Sequence, residues 1–170
     1  MTWLMLVLRL VHIVGGVFWA GAVWVFARFI EPTATAAGPE GGRFVQRLAG
    51  SGYTPAVMSA ALSSVLAGLA LLWIDSGGFQ PAFMGSPFGV TVSVGALCAL
   101  IAGVFGIGIA ARNANRLKRA GAAIQGQAGG PTPAQLAEVA AIQGRLRFSG
   151  RITAAFLVGA VLCMAIARYV

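Results

Sequence analysis

The sequence predicts an all-α integral membrane protein. It is expected to form a four-helix bundle, with the N-terminus and C-terminus outside and a cytoplasmic helical hairpin between helices three and four. The chain is 58% hydrophobic and only 9% charged, which is too little charge for a soluble domain. Four apolar stretches are each long enough to cross a bilayer. The net charge of +8 comes mainly from basic residues beside these stretches, so it indicates membrane lipid as a partner, and no nucleic acid.

The first span is predicted over about residues 3–30. Arg9 and His12 interrupt its apolar pattern, and no basic segment precedes it, so we interpret it as a retained helix and not as a cleaved signal. Glu31-Pro32 is expected to end this helix, because the residue before a proline is pushed out of the helical region.

The second and third spans are predicted over about 55–74 and 87–111. Each begins with a hydroxyl residue followed by proline, at Thr54 and at Ser86, which is the pattern of a helix N-cap with proline in the first turn. The loop before the second span, residues 38–52, contains a short stretch that suits an amphipathic helix.

The fourth span is predicted over about 148–170. Between the third and fourth spans, residues 127–131 form a strong helix breaker, and Thr132 with Gln135 then suits a capping box. Few residues on either side of the breaker resist helix, so the two spans are expected to extend past the membrane as a hairpin of roughly 20 Å. The alternative is a disordered basic loop.

Basic residues predict the orientation of the spans. The loops after the first and third spans, with the span ends that border them, carry ten of the twelve, whereas the loop after the second span carries none. The loops after the first and third spans are therefore expected on the cytoplasmic side of a bacterial inner membrane. The ten residues are Arg28, Arg43, Arg47, Arg112, Arg116, Lys118, Arg119, Arg145, Arg147 and Arg151.

Small residues in the spans are expected to bring the helices together, since close backbone approach drives association in lipid. The candidate faces are Gly16 with Ala20; Ser59, Ser63 and Ala67; Ala60, Ser64 and Gly68; Ala99 with Gly103; and Ala102 with Gly106. Such faces also suit docking onto other membrane subunits or a homo-oligomer.

His12 is the one histidine and the strongest candidate for chemistry, because ionisable groups within a membrane are costly and often functional. One imidazole nitrogen can ligate a haem iron while the other donates a hydrogen bond. Arg9 lies three residues earlier on the same helix face, which suits a haem propionate, and Arg168 is a second candidate partner. The alternative is structural: His12 bonds the hydroxyl of Ser59, Ser63 or Ser93, or a carbonyl in the bundle, and Arg9 extends to the interface.

Residues 10–21 of the first span resemble the first helix of the CopD superfamily, which includes copper-resistance membrane proteins and HemJ-like protoporphyrinogen oxidases. The shared pattern is a histidine, six mostly apolar residues and then a tryptophan, and His12 and Trp19 match it. The resemblance implies haem b bound through His12. The HemJ-like pattern also expects a lysine inside a span, which this chain lacks, and a bis-histidine haem would require a second chain.

Three functions fit these sequence features. The first is a haem b protein with a redox or electron-transfer role. The second is a non-catalytic accessory subunit of a larger membrane complex. The third is transport of copper or another small solute, for which the scattered methionines offer only a weak path.

Overall fold

The computed structural model describes residues 3–127 and 130–170, and every regular element in these ranges is a helix. Four helices are long and apolar enough to cross a membrane. The predicted all-α class with four candidate spans is therefore confirmed. In chain order the helices are α1, Trp3–Ala36; α2, Gly38–Asp75; the short α3, Pro81–Met84; α4, Pro87–Ile124; and α5, Pro133–Tyr169.

Helix α1 continues beyond the end that the sequence predicts. Glu31 and Pro32 lie inside it, so the predicted end at Glu31-Pro32 is wrong. Phe26–Ile30 form a π turn, in which the backbone N–H of Glu31 donates to the carbonyl oxygen of Phe26. Because a π turn is wider than an α turn, it leaves room for the proline ring, and the helix continues to Ala36.

Helix α2 has two parts joined by a kink. Gly38–Leu48 is the amphipathic helix expected in this loop, and Thr54–Asp75 is the apolar span. At the kink Gly52 has a φ of 91°, which favours glycine. The predicted N-cap at Thr54 is wrong, because its backbone is already helical where the π turn Ala49–Tyr53 leads into the span.

The other two predicted helix starts are confirmed. The Ser86 hydroxyl oxygen accepts a hydrogen bond from the backbone N–H of Gly89 at 3.0 Å. Thr132 and Gln135 form the complete capping box: the N–H of Gln135 donates to the Thr132 hydroxyl at 3.3 Å, and the N–H of Thr132 donates to the Gln135 side chain at 2.9 Å. Both devices are local in sequence, which is why the sequence predicts them well.

The long helices pack as two antiparallel pairs, α1 with α2 and α4 with α5. Small residues form both contacts. A Cβ added at Gly16 would lie 3.1 Å from the Ser64 hydroxyl oxygen, and one added at Gly106 would lie 3.2 Å from Thr153 Cγ2. The predicted face of α4 that contains Gly106 is therefore in contact with α5. Gly103 faces open space and is turned away from α5.

The two pairs meet at one small core. It consists of Trp19, Ala61, Ala102 and Leu157, one residue from each long helix, and each is buried. Most other large apolar side chains are exposed in the isolated chain, as expected for helices whose outer faces contact lipid.

The predicted helical hairpin is present in the described residues. Ala111–Gln125 continues α4 for 15 residues, which is about 22 Å of helix, and packs against the first turns of α5. An ion pair of 4.0 Å between Arg147 and Glu31 joins the base of the hairpin to α1. Two residues of the predicted breaker, Ala128 and Gly129, lie outside the described residues.

Gly95→Leu tests the contact between α4 and α5. A Cβ at Gly95 would lie 3.0 Å from the Cβ of Cys163 and 3.1 Å from Met164 Cε, so the larger side chain must push α5 away. We expect the free energy of unfolding in detergent to fall by about 1–3 kcal/mol. Gly103→Leu, in the same helix but facing open space, is the matched control and should leave stability nearly unchanged. Equal losses in both variants would contradict this packing.

Candidate functional site

His12 lies between α1 and α2 and is bonded to Ser64 in both directions. The ring nitrogen Nδ1 of His12 lies 2.8 Å from the carbonyl oxygen of Ser64. In return, the hydroxyl of Ser64 donates to the carbonyl oxygen of His12 at 2.8 Å. We call this reciprocal pair of hydrogen bonds the His12–Ser64 clamp.

The clamp fixes the tautomer of the imidazole. A carbonyl oxygen can only accept, so Nδ1 must carry the hydrogen in the bond to Ser64. In the neutral ring the other nitrogen, Nε2, then holds a lone pair. A backbone carbonyl bonded to one nitrogen is the usual outer contact of a histidine that ligates a metal through the other.

Gly68 forms the seat of the imidazole ring. A Cβ added at Gly68 would lie 2.7 Å from both Nδ1 and Cε1 of His12, closer than such atoms can approach. Gly68 follows Ser64 by one helical turn, so the carbonyl that bonds the ring and the space that holds it lie on one face of α2. The sequence placed Gly68 and Ser64 on one small-residue face but did not connect them with His12.

The spacing between His12 and Trp19 has a structural explanation. His12, Gly16 and Trp19 are separated by four and three residues, which places them on one face of α1. Gly16 contacts Ser64, and Trp19 is 3% exposed in the core. All three therefore face the helices packed against α1. Of the structural partners expected for His12, the structure provides a backbone carbonyl, that of Ser64, and the Ser64 hydroxyl oxygen also lies 3.4 Å from Nδ1.

Arg9 lies one turn from His12 toward the N-terminus of α1. Its guanidinium is 3.8 Å from the carboxylate of Asp75 at the end of α2. Both side chains are more than a third exposed, so the pair is a weak link between the two helices. Arg9 therefore remains able to pair with another anion at this end of the helix pair.

Arg168 lies at the end of α5, in the other helix pair. Its guanidinium carbon is 5.5 Å from the centre of the Tyr169 ring, and the last turn of α5 packs against the first part of α4. Among the described residues no hydrogen bond or ion pair joins Arg168 to His12 or Arg9. The structure thus brings Arg9 and His12 onto one helix pair and places Arg168 on the other.

The cysteines are packed thiols. Both are free; Cys98 Sγ lies 3.6 Å from a Cβ added at Gly159, and Cys163 lies against Gly95. Within residues 3–127 and 130–170, no three histidine, cysteine, aspartate or glutamate side chains group as metal ligands.

Comparisons of this chain with protein-family models, with curated proteins and with solved structures gave no match.

A double-mutant cycle tests the seat of His12. Gly68→Ala alone should lower the free energy of unfolding by about 1–3 kcal/mol, because the new methyl group displaces the imidazole. In a His12→Ala background the same change should cost almost nothing, since the ring is no longer there to displace. Unfolding in mixed detergent micelles measures both values. An equal loss in the two backgrounds would show that the ring does not occupy this space.

Proposed function

We propose that this protein is an integral membrane protein that binds haem b through Nε2 of His12 and serves in electron transfer. One observation carries the proposal: Nδ1 of His12 is committed to the carbonyl of Ser64, which leaves Nε2 as a ligand atom on a ring of fixed orientation. The resemblance of the first span to the CopD superfamily points to the same residue.

The residues around His12 fit one axial ligand of a haem. The clamp and Gly68 hold the ring in one orientation. Arg9, one turn away, would pair with a propionate in exchange for Asp75. A bound haem supplies one-electron chemistry at its iron. With one histidine in the chain, a second axial histidine would have to come from another copy.

The distribution of polar groups supports the predicted orientation in a bacterial inner membrane. Arg9 and Asp75 lie at one end of the first helix pair, whereas Arg147 and Glu31 lie at the end that carries the basic hairpin. By the positive-inside rule the hairpin end is cytoplasmic, so both termini and the Arg9 end of α1 are outside.

A second function is an accessory subunit of a larger membrane complex. Three glycines favour it: added Cβ atoms at Gly21, Gly103 and Gly108 would meet nothing within 4 Å. Glycines on an outward face allow a partner helix to approach closely. The partner would be another membrane subunit or a second copy of this chain.

Absorption spectra of the purified wild type, His12→Ala and His12→Gln test the haem proposal. We expect a Soret band in the wild type and its loss in both variants. The glutamine variant is the sharper one, because it keeps a polar amide donor at position 12 but offers no imidazole nitrogen to iron. Retention of its melting temperature would separate loss of the ligand from loss of the fold.

Two results would overturn the haem proposal. A colourless wild type after expression with ample haem would remove it, and co-purification with larger membrane subunits would then support the accessory role. A Soret band that persists unchanged in His12→Gln would place the iron ligand elsewhere.

Cysteine labelling tests the orientation. In a Cys98→Ala, Cys163→Ala background, Gln80→Cys and Arg119→Cys place one thiol at each end of the helices, both at exposed positions. A membrane-impermeant maleimide should label Gln80→Cys in cells with an intact inner membrane, and Arg119→Cys only after that membrane is permeabilised. The reverse pattern would place both termini in the cytoplasm.

A further inference from the structure

A groove of about 390 Å³ lies between α4 and α5, where these helices pass from their apolar spans into the basic hairpin. Phe105, Ile109 and Phe148 line one part of it, and Phe148 is 62% exposed. Asn113 and Arg145 line the part nearer to the hairpin. The groove belongs to a different helix pair from His12.

The groove is apolar along most of its length and ends beside the exposed Arg145, toward the hairpin. Phe105, Ile109 and Asn113 are four residues apart on α4, so they form one stripe about 12 Å long. Because α5 runs antiparallel to α4, Phe148 lies farther from the hairpin and Arg145 lies nearer to it. An acyl chain that ends in a polar head group has the same order of polarity over this distance.

Two backbone features keep the groove open. A Cβ added at Gly144 would meet nothing within 4 Å, so the absence of a side chain there leaves space between the helices. The wall formed by α4 is a π turn over Val104–Ala110, which is wider than a regular α-helical turn.

The hairpin end of the groove is strongly basic. Residues 111–151 carry seven basic residues and one acidic residue, Glu138. Arg147 is paired with Glu31, but among the described residues no carboxylate lies within ion-pairing distance of Arg145. A guanidinium binds a phosphate through two parallel hydrogen bonds, and basic pockets between helices at the membrane surface bind anionic lipid head groups.

From these observations we propose that the groove binds one molecule of an anionic phospholipid. An acyl chain lies along Phe105, Ile109 and Phe148, and the phosphate is held by Arg145. An acidic protein surface would satisfy the charge but would leave the apolar part of the groove unfilled, whereas a phospholipid satisfies both parts. The proposal is independent of haem binding.

The test is the melting temperature of the detergent-solubilised protein as phosphatidylglycerol or phosphatidylcholine is added. Phosphatidylglycerol should stabilise the wild type at lower concentrations than phosphatidylcholine. Arg145→Gln should weaken the apparent affinity for phosphatidylglycerol about fivefold, which corresponds to one lost basic contact. Gly144→Leu, whose Cβ would meet no neighbour and whose longer side chain would occupy the groove, should abolish the difference between the two lipids.

Arg119→Gln is the matched control, since it removes one exposed basic residue of the hairpin that does not line the groove. It should respond to phosphatidylglycerol as the wild type does. An equal loss in Arg119→Gln and Arg145→Gln would overturn the proposal in favour of diffuse charge attraction. The same stabilisation by inorganic phosphate or by an acidic peptide would also overturn it, because neither has an acyl chain.

Discussion

The close approach of α1 and α2 is the contact on which the rest of the site depends. A Cβ at Gly15 would lie 3.1 Å from the carbonyl oxygen of Ala60, so the two backbones are nearly touching. Only at this separation can the short Ser64 side chain reach the carbonyl of His12. In a membrane, water does not satisfy polar groups. The clamp therefore requires the close approach of α1 and α2, and its hydrogen bonds stabilise that approach.

The close approach of α1 and α2 also brings together residues that are far apart in sequence, at both ends of the helix pair. Tyr53 donates to the carbonyl of Ala22 at 2.9 Å near one end, and Arg9 meets Asp75 at the other. His12 lies between these contacts. The hydrogen bond from Nδ1 to Ser64 orients its ring, and the absence of a side chain at Gly68 leaves the space that the ring occupies. Both of these partners lie on α2, so neither helix alone would fix the orientation of the ring.

The sequence predicts those parts of the fold that neighbouring residues decide. The caps at Ser86 and Thr132 depend on partners three residues away, and both are present. Prediction from Glu31-Pro32 and from Thr54 failed because π turns before them changed the backbone, and no local rule indicates such turns. In the candidate site, the sequence indicates His12 because it is the one histidine and lies inside an apolar span. Ser64 and Gly68 become its partners only through the register of two packed helices.

Helix packing and metal ligation place different requirements on the residues of the site. Packing accounts for His12, Gly16 and Trp19 sharing one face, so the spacing that resembles the CopD superfamily also serves the contact between the helices. Packing also uses a donor at position 12 for the Ser64 carbonyl, which an amide side chain could supply as well. It makes no use of a second ring nitrogen. Among side chains that satisfy the clamp, histidine alone leaves a lone pair suited to iron, and that nitrogen is the feature that a purely structural role leaves unexplained.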